Sequence, residues 1–242
     1  MLALVAFMLV ERRSGTPLVP PRLFASRQFT AANLFTFSVY AALSAVFFLL
    51  VLDLQVVAGY GPLAAGISML PVTAVMLALS SRFGAIAQRI GPKLQLTTGP
   101  LIAAGGLLLT LRIGPGASYV TVVLPAVTLF GLGLAMFVAP LTAAVLAATP
   151  SEHVGVASAV NNAVARSAGL LGIALLPAVA GLSGDDYQKL NAFAAGYRLA
   201  TLVDVALLVV SDDPAETVAT VVAGYERRIA QPPPSPAKAD AQ

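Results

Sequence analysis

The sequence predicts an all-helical, polytopic membrane bundle, and three observations carry that prediction. Hydrophobic residues make up 58% of the 242 positions and charged residues only 10%, against about 25% charged in a soluble domain. A large soluble core cannot close that gap, because a soluble fold still needs a charged surface. The apolar residues are gathered into long runs, most of which reach the roughly 20 residues needed to cross a bilayer. The basic residues fall between these runs and sort to alternate loops.

Residues 1–10 are apolar but only about half the length of a span, and Glu11, Arg12 and Arg13 follow them. A signal peptide has the opposite order, with its positive charges ahead of the apolar run. This segment therefore reads as a partial transmembrane helix, and 11–32 as a loop. Six longer apolar runs make a membrane domain over 33–210, at 33–52, 63–80, 94–112, 119–148, 156–182 and 192–210. The second run is short and contains Pro71. The fourth is long, and Pro125 and Pro140 are its expected bends. The sixth is the weakest, because Arg198 and Asp204 fall inside it. Residues 211–242 turn polar and end in "QPPPSPAKADAQ", the composition of a disordered tail.

Orientation follows from the excess of Lys and Arg in cytoplasmic loops. If the 11–32 loop is cytoplasmic, only Arg112, Lys189 and Arg198 lie on the opposite side. Arg166 is inside the fifth run, and every other Lys and Arg falls on the first side. The C-terminal tail is then cytoplasmic too.

Composition also excludes functions. The chain has no cysteine, so disulfides, thiol nucleophiles and thiolate metal sites are removed together. Its single histidine, His153, sits in the short loop "TPSEHVG" and reads as a solvated surface residue. No catalytic residues, metal ligands or cofactor-binding loop are expected, and a net charge of +3 does not point to nucleic acid.

The candidate functional residues are polar groups at membrane depth. A charge at a helix centre costs roughly 2.5–3.5 kcal/mol on insertion scales and is seldom there without a role. Arg166 lies a turn beyond Asn161 and Asn162, which puts the three on roughly one face. Such an arginine can hold an anionic group, pair with a carboxylate or donate to freed carbonyls; the simpler reading is that it snorkels to the headgroups. Asp204 can be a protonatable group, or the last span is simply poorly seated. Asp53 reads as interfacial and solvated, and Gln55 offers a donor and an acceptor at the outer mouth. Gly131 and Gly133, and Ala165, Ala168, Gly169 and Gly172, are spaced for close helix packing.

The motifs "PLVPPRLF…FTAANLFTF", "LDLQVVAGYGPLAAGISMLP", "GAIAQRIGPK", "GLGLAMFVAPL" and "GVASAVNNAVARSAGLLGIAL" occur in an order that resembles the C-terminal half of a fourteen-helix drug:proton antiporter of the major facilitator superfamily. The resemblance runs from residue 1 to about Gly181. It implies one half of a major facilitator fold in the plasma membrane, with protons and amphipathic small molecules, drugs among them, as partners besides the lipid bilayer. It further implies that Gln55, Asn161, Asn162 and Arg166 line or support the translocation pathway. Asp53 and Asp204 are the available carboxylates. "GAIAQRIGPK" is similar to the superfamily's cytoplasmic loop motif, G-x-L-x-D-R-x-G-R-[KR]. Gly84, Arg89, Gly91 and Lys93 match it, while Gln88 replaces the aspartate. The motif then reads as a tight basic gating turn that has lost its charge relay. Because substrates of this superfamily bind between two halves, two readings follow. Either a separate N-terminal half or a second copy completes the transporter, or the chain is a truncated remnant that transports nothing.

Overall fold

The computed structural model describes residues 27–147 and 154–210. The readings for 1–26, for the tail beyond 210 and for His153 lie outside the described residues.

Helix α1 spans Arg27–Val56 and starts earlier than the first apolar run. Residues 27–32 are thus helical instead of forming the end of a loop. The reason is visible in the sequence: Phe29, Ala32, Asn33 and Thr36 continue the three- and four-residue spacing of the buried face. The two polar members of that face turn inward on their own helix. Asn33 donates to the Phe29 carbonyl and Thr36 to that of Ala32, both at 2.9 Å.

The second run becomes two helices in line, α2 (Pro62–Ile67) and α3 (Leu70–Ile90). Together they form a 29-residue apolar span. Pro62 and Pro71 each sit in the first two positions of a helix, where a missing N–H costs nothing. Pro71 therefore starts a helix and does not interrupt one.

Helix α3 runs straight through most of the predicted basic turn. Gly84, Gln88 and Arg89 are helical, and the turn itself is only Gly91 and Pro92. Of the two motif glycines only Gly91 shapes the turn, with φ +85°. A Cβ at Gly84 would meet nothing within 4 Å. Gly91→Val is expected to lower stability by about 1–3 kcal/mol through backbone strain. Gly84→Ala is expected to be neutral or stabilising by up to ~1 kcal/mol. Thermal melts of the two purified variants read the difference.

Helix α4 (Lys93–Thr110) carries Pro100 in its interior. A π-helical turn at Tyr119–Val123 leads into α5 (Leu124–Ala147). Of its two expected bend points, Pro125 stands at the start of α5 and Pro140 in its interior. Helix α6 covers Val154–Val179. A short 3-10 turn (Gly184–Gln188), held by the Ser183–Asp186 capping box, leads to α7 (Leu190–Val210). Among the described residues, five spans are long and apolar enough to cross a membrane. Helix α4 is the shorter, more polar sixth, since its first turns carry Lys93, Gln95, Thr97 and Thr98.

The helices pack as two groups. Helix α5 lies against α3 and α4, and α1 lies against α6 and α7; contacts of α4 with α7 and of α1 with α5 join the groups. In lipid these contacts gain nothing from apolar transfer, so shape holds them. The glycine-bearing seams supply it. Gly133 faces the Ala103 backbone, Gly106 the Phe130 backbone, and Gly99 the Phe137 Cβ, together closing α5 on α4. Gly131 packs on Val72 of α3, and Gly172 on the Ala41 carbonyl of α1. Phe47 and Phe130 bridge α1 and α5, with ring centroids 5.8 Å apart. The outer surface is strongly apolar: Leu63, Leu77 and Leu170 are each more than 70% exposed. That suits a lipid boundary and would be unusual on a soluble protein.

Candidate functional site

Among the described residues, two polar places stand out between the helices of this apolar bundle. The larger is an open groove of about 720 Å³ between α1, α5 and α6. Helix α6 supplies most of it, because Ser158, Asn161, Asn162, Ala165, Arg166 and Gly169 recur at three- and four-residue intervals on one face. Tyr40 and Ser44 come from α1 and Thr142 from α5. Gly169 matters here for its absent side chain: a Cβ there would stand 2.6 Å from the Ser44 hydroxyl.

The groove gathers three of the four residues expected to line a pathway. Asn162 and Arg166 are exposed along it, and Asn161 is half-buried with its Oδ1 lacking a hydrogen-bond partner. Gln55 does not belong. It lies at the far end of α1 from Ser44, roughly 16 Å along the axis at 1.5 Å per residue, and donates to the Val51 carbonyl at 3.2 Å. Arg166 stands near the middle of α6, and among the described residues it is the charged side chain lining this groove and no acidic one joins it. The arrangement offers a fixed cation, amide donors and acceptors, and hydroxyls, beside the apolar surfaces of Leu170 and Ile173. Chemically, such a lining can meet both the apolar and the polar part of a molecule.

The second place lies between α1, α4 and α7. Asp53 is 2% exposed and Asp204 1% exposed, and each has a carboxylate oxygen without a hydrogen-bond partner. The reading of Asp53 as a solvated interfacial group is thus overturned, because α7 and the 111–115 segment close over it. The reading of the last span as poorly seated fails too. Helix α7 is regular, and Phe193, Tyr197, Ala200, Asp204 and Leu208 form a continuous buried face. Tyr197 donates to Thr110 Oγ1 at 2.7 Å, while Thr110 donates to the Leu107 carbonyl at 2.6 Å. Thr201, also buried, stands one turn further along the same face of α7.

Sequence reasoning missed Tyr197, Thr110 and Thr201, as well as Tyr40 and Ser44. The signal for the first was present. Tyr197, Thr201 and Asp204 are four and three residues apart, which places three polar groups on one face of an apolar helix. Tyr40 and Ser44 offered no such signal, since only the packing of α1 on α6 brings them to the groove.

The gating-motif residues meet a third cavity, of about 440 Å³, where Ser80, Gly84, Gln88 and Pro92 face Ala139 and Pro140 of α5.

Helices long and apolar enough to cross a membrane, five of them among the described residues, define an integral membrane protein with several membrane passes. A model of the Major Facilitator Superfamily matches residues 2–173, and the chain belongs to that family. It is 32% identical over 232 residues to the puromycin resistance protein pur8 of Streptomyces alboniger, covering 95% of this chain and 42% of that protein. It is similar to the cephamycin export protein CmcT of Amycolatopsis lactamdurans, 30% identical over 75% of this chain and 38% of the relative. The multidrug transporter protein MdtP of Bacillus subtilis (strain 168) is 28% identical over 74% of this chain and 33% of its own length. The chain therefore spans less than half the length of these drug-resistance and export relatives.

Proposed function

We propose that the chain is the C-terminal half of a proton-coupled exporter of amphipathic small molecules in the plasma membrane. The carrying observation is the groove: Asn161, Asn162 and Arg166 stand together on its α6 wall, opposite Tyr40 and Ser44. Relatives named for puromycin resistance, cephamycin export and multidrug transport support an organic, amphipathic cargo. An open groove supplies one wall of a cavity. The facing wall comes from an N-terminal half, carried on the same polypeptide or separately, or from a second copy. On this reading Gln55 supports the outer end of α1 and lies outside the groove.

The loop 11–32 and the C-terminus are cytoplasmic in this arrangement. Arg82, Arg89 and Lys93 then share the cytoplasmic end of α3 and α4, while Arg112 and Lys189 face outward. Gly84, Gln88, Arg89, Gly91 and Lys93 shape the cytoplasmic gate, with Gln88 bordering the cavity against Pro140. Bound within a cell, the gate is a basic corner held to the anionic leaflet by Arg89 and Lys93.

The test is efflux of a fluorescent lipophilic cation from cells that express the chain with an N-terminal half, with and without a protonophore. Export that collapses with the proton gradient is expected. Equal dye accumulation with and without the protein overturns the reading in favour of a non-transporting remnant.

A further inference from the structure

The buried cluster between α1, α4 and α7 has no part in the groove. A carboxylate withdrawn from water without a partner is costly by several kcal/mol, so it must be paired, bound to a cation or protonated. Asp53 and Asp204 are both withdrawn, and each keeps an unpartnered oxygen. The nearby cationic side chain is Arg198, which is exposed and borders a cavity of about 110 Å³ together with Asp53, Tyr197, Gly114 and Pro115. That volume has room for water.

Of the other elements packed here, the 111–115 segment carries the exposed Arg112, and Lys189 precedes Leu190 at the start of α7; the other helices add no charge beside Asp53. Helix α5 carries no titratable side chain, α4 only Lys93 at its opposite end, and α6 only Arg166 in the groove. Besides Arg198, the titratable groups facing Asp53 are Tyr197 and, deeper, Asp204. The Tyr197 hydroxyl is held by its hydrogen bond to Thr110 Oγ1.

We propose that this cluster is a two-station binding site for the coupling proton, with Asp53 as the outer station and Asp204 as the inner one. This rests on the export reading above and names the site that couples it. A hydronium in the 110 Å³ cavity gives its proton to the Asp53 carboxylate, leaving water and a neutral acid. Inward transfer runs through water alone, since Tyr197 donates to Thr110 and Thr110 to the Leu107 carbonyl. A hydronium reaching Asp204 gives its proton to that carboxylate, leaving water and a second neutral acid. When Asp53 has given up its proton it pairs with Arg198; when it holds one, Arg198 is released to the outer surface. The protonation state of Asp53 thereby sets the position of α7 against α1.

Infrared difference spectroscopy of the purified full chain in lipid vesicles, titrated in pH, tests the site without requiring transport. Two titrating carboxylic acid bands are expected. Asp53→Asn removes one, Asp204→Asn removes the other, and Arg198→Gln moves the titration midpoint of the first band alone. Circular dichroism checks folding; if either Asn variant fails to fold, ¹³C-aspartate labelling of the unaltered chain must still shift both bands. Absence of any titrating acid band overturns the proposal. So does a band abolished by sodium chloride but not by choline chloride at fixed pH, which would make the site a sodium site. Both bands in a chain that exports nothing remove the export reading and leave the proton site. Gradient-driven export persisting in the Asp53→Asn, Asp204→Asn double variant removes the proton site as the coupling site.

Discussion

Gly172→Val is expected to cost about 3 kcal/mol or more and to abolish a monodisperse fold. A Cβ at Gly172 would run directly into the Ala41 carbonyl of α1 and crowd the Ala41 Cα at 2.9 Å. Overpacking a well-packed core costs typically about 1–3 kcal/mol, and the obstruction here is backbone, which cannot rotate aside. To admit the side chain, α6 must move off α1 along its main seam. The same movement would pull Gly169 away from Ser44 and open the groove wall. Size-exclusion profiles and thermal melts in mild detergent check this, with Gly84→Val as the control on an uncrowded helix face. Equal melting temperatures for Gly172→Val and the unaltered chain would rule out close packing at this seam.

Arg166→Ala is expected to lower export about 10- to 100-fold while leaving the fold intact. Hydrogen bonds to charged groups contribute about 1.5–3 kcal/mol, and each 1.4 kcal/mol is about tenfold in binding. Arg166 is exposed, so no packing is lost with it. Arg166→Lys separates two roles. Lysine keeps the charge but loses the planar five-donor fork. A groove arginine that orients cargo predicts partial activity for lysine. A residue that only snorkels to headgroups predicts full activity for lysine and reduced membrane insertion for alanine. Efflux rates normalised to membrane-inserted protein tell these apart.

Much of the helical layout was legible because lipid imposes it. Every backbone polar group must be bonded inside the span, so apolar run length translates almost directly into helix, as it did for α6 and α7. The helix ends were less legible. Arg27 to Ala32 looked like loop because polar residues interrupt it, yet Phe29 and Ala32 carry the buried face across the boundary. Pro71 lay inside the second apolar run, and its presence alone does not say whether a proline falls at the start of a helix or in its middle. Within the sites, Asn161, Asn162 and Arg166 were readable from spacing on one helix. Their partners Tyr40 and Ser44 were not, since they lie on a helix more than 100 positions earlier. Asp53 was misread for the same reason: whether a carboxylate near a span end is wet depends on what covers it, and here distant α7 does so.

The two-group packing has a consequence for motion. Exchanging α1 with α5, α3 with α6 and α4 with α7 carries the main helix contacts onto one another: the α1–α6 seam becomes α5–α3, and α4–α5 becomes α7–α1, with the smaller α5–α6 contact outside this pattern. Both the α1–α6 and the α3–α5 seams close on a glycine, Gly172 of α6 in one and Gly131 of α5 in the other. Each repeating unit holds three crossings, an odd number, so the second copy stands upside down relative to the first. An antiparallel pair of similar units treats the two membrane faces alike. A shape closed on one face has a near-equivalent closed on the other, and a small free-energy input is enough to choose between them.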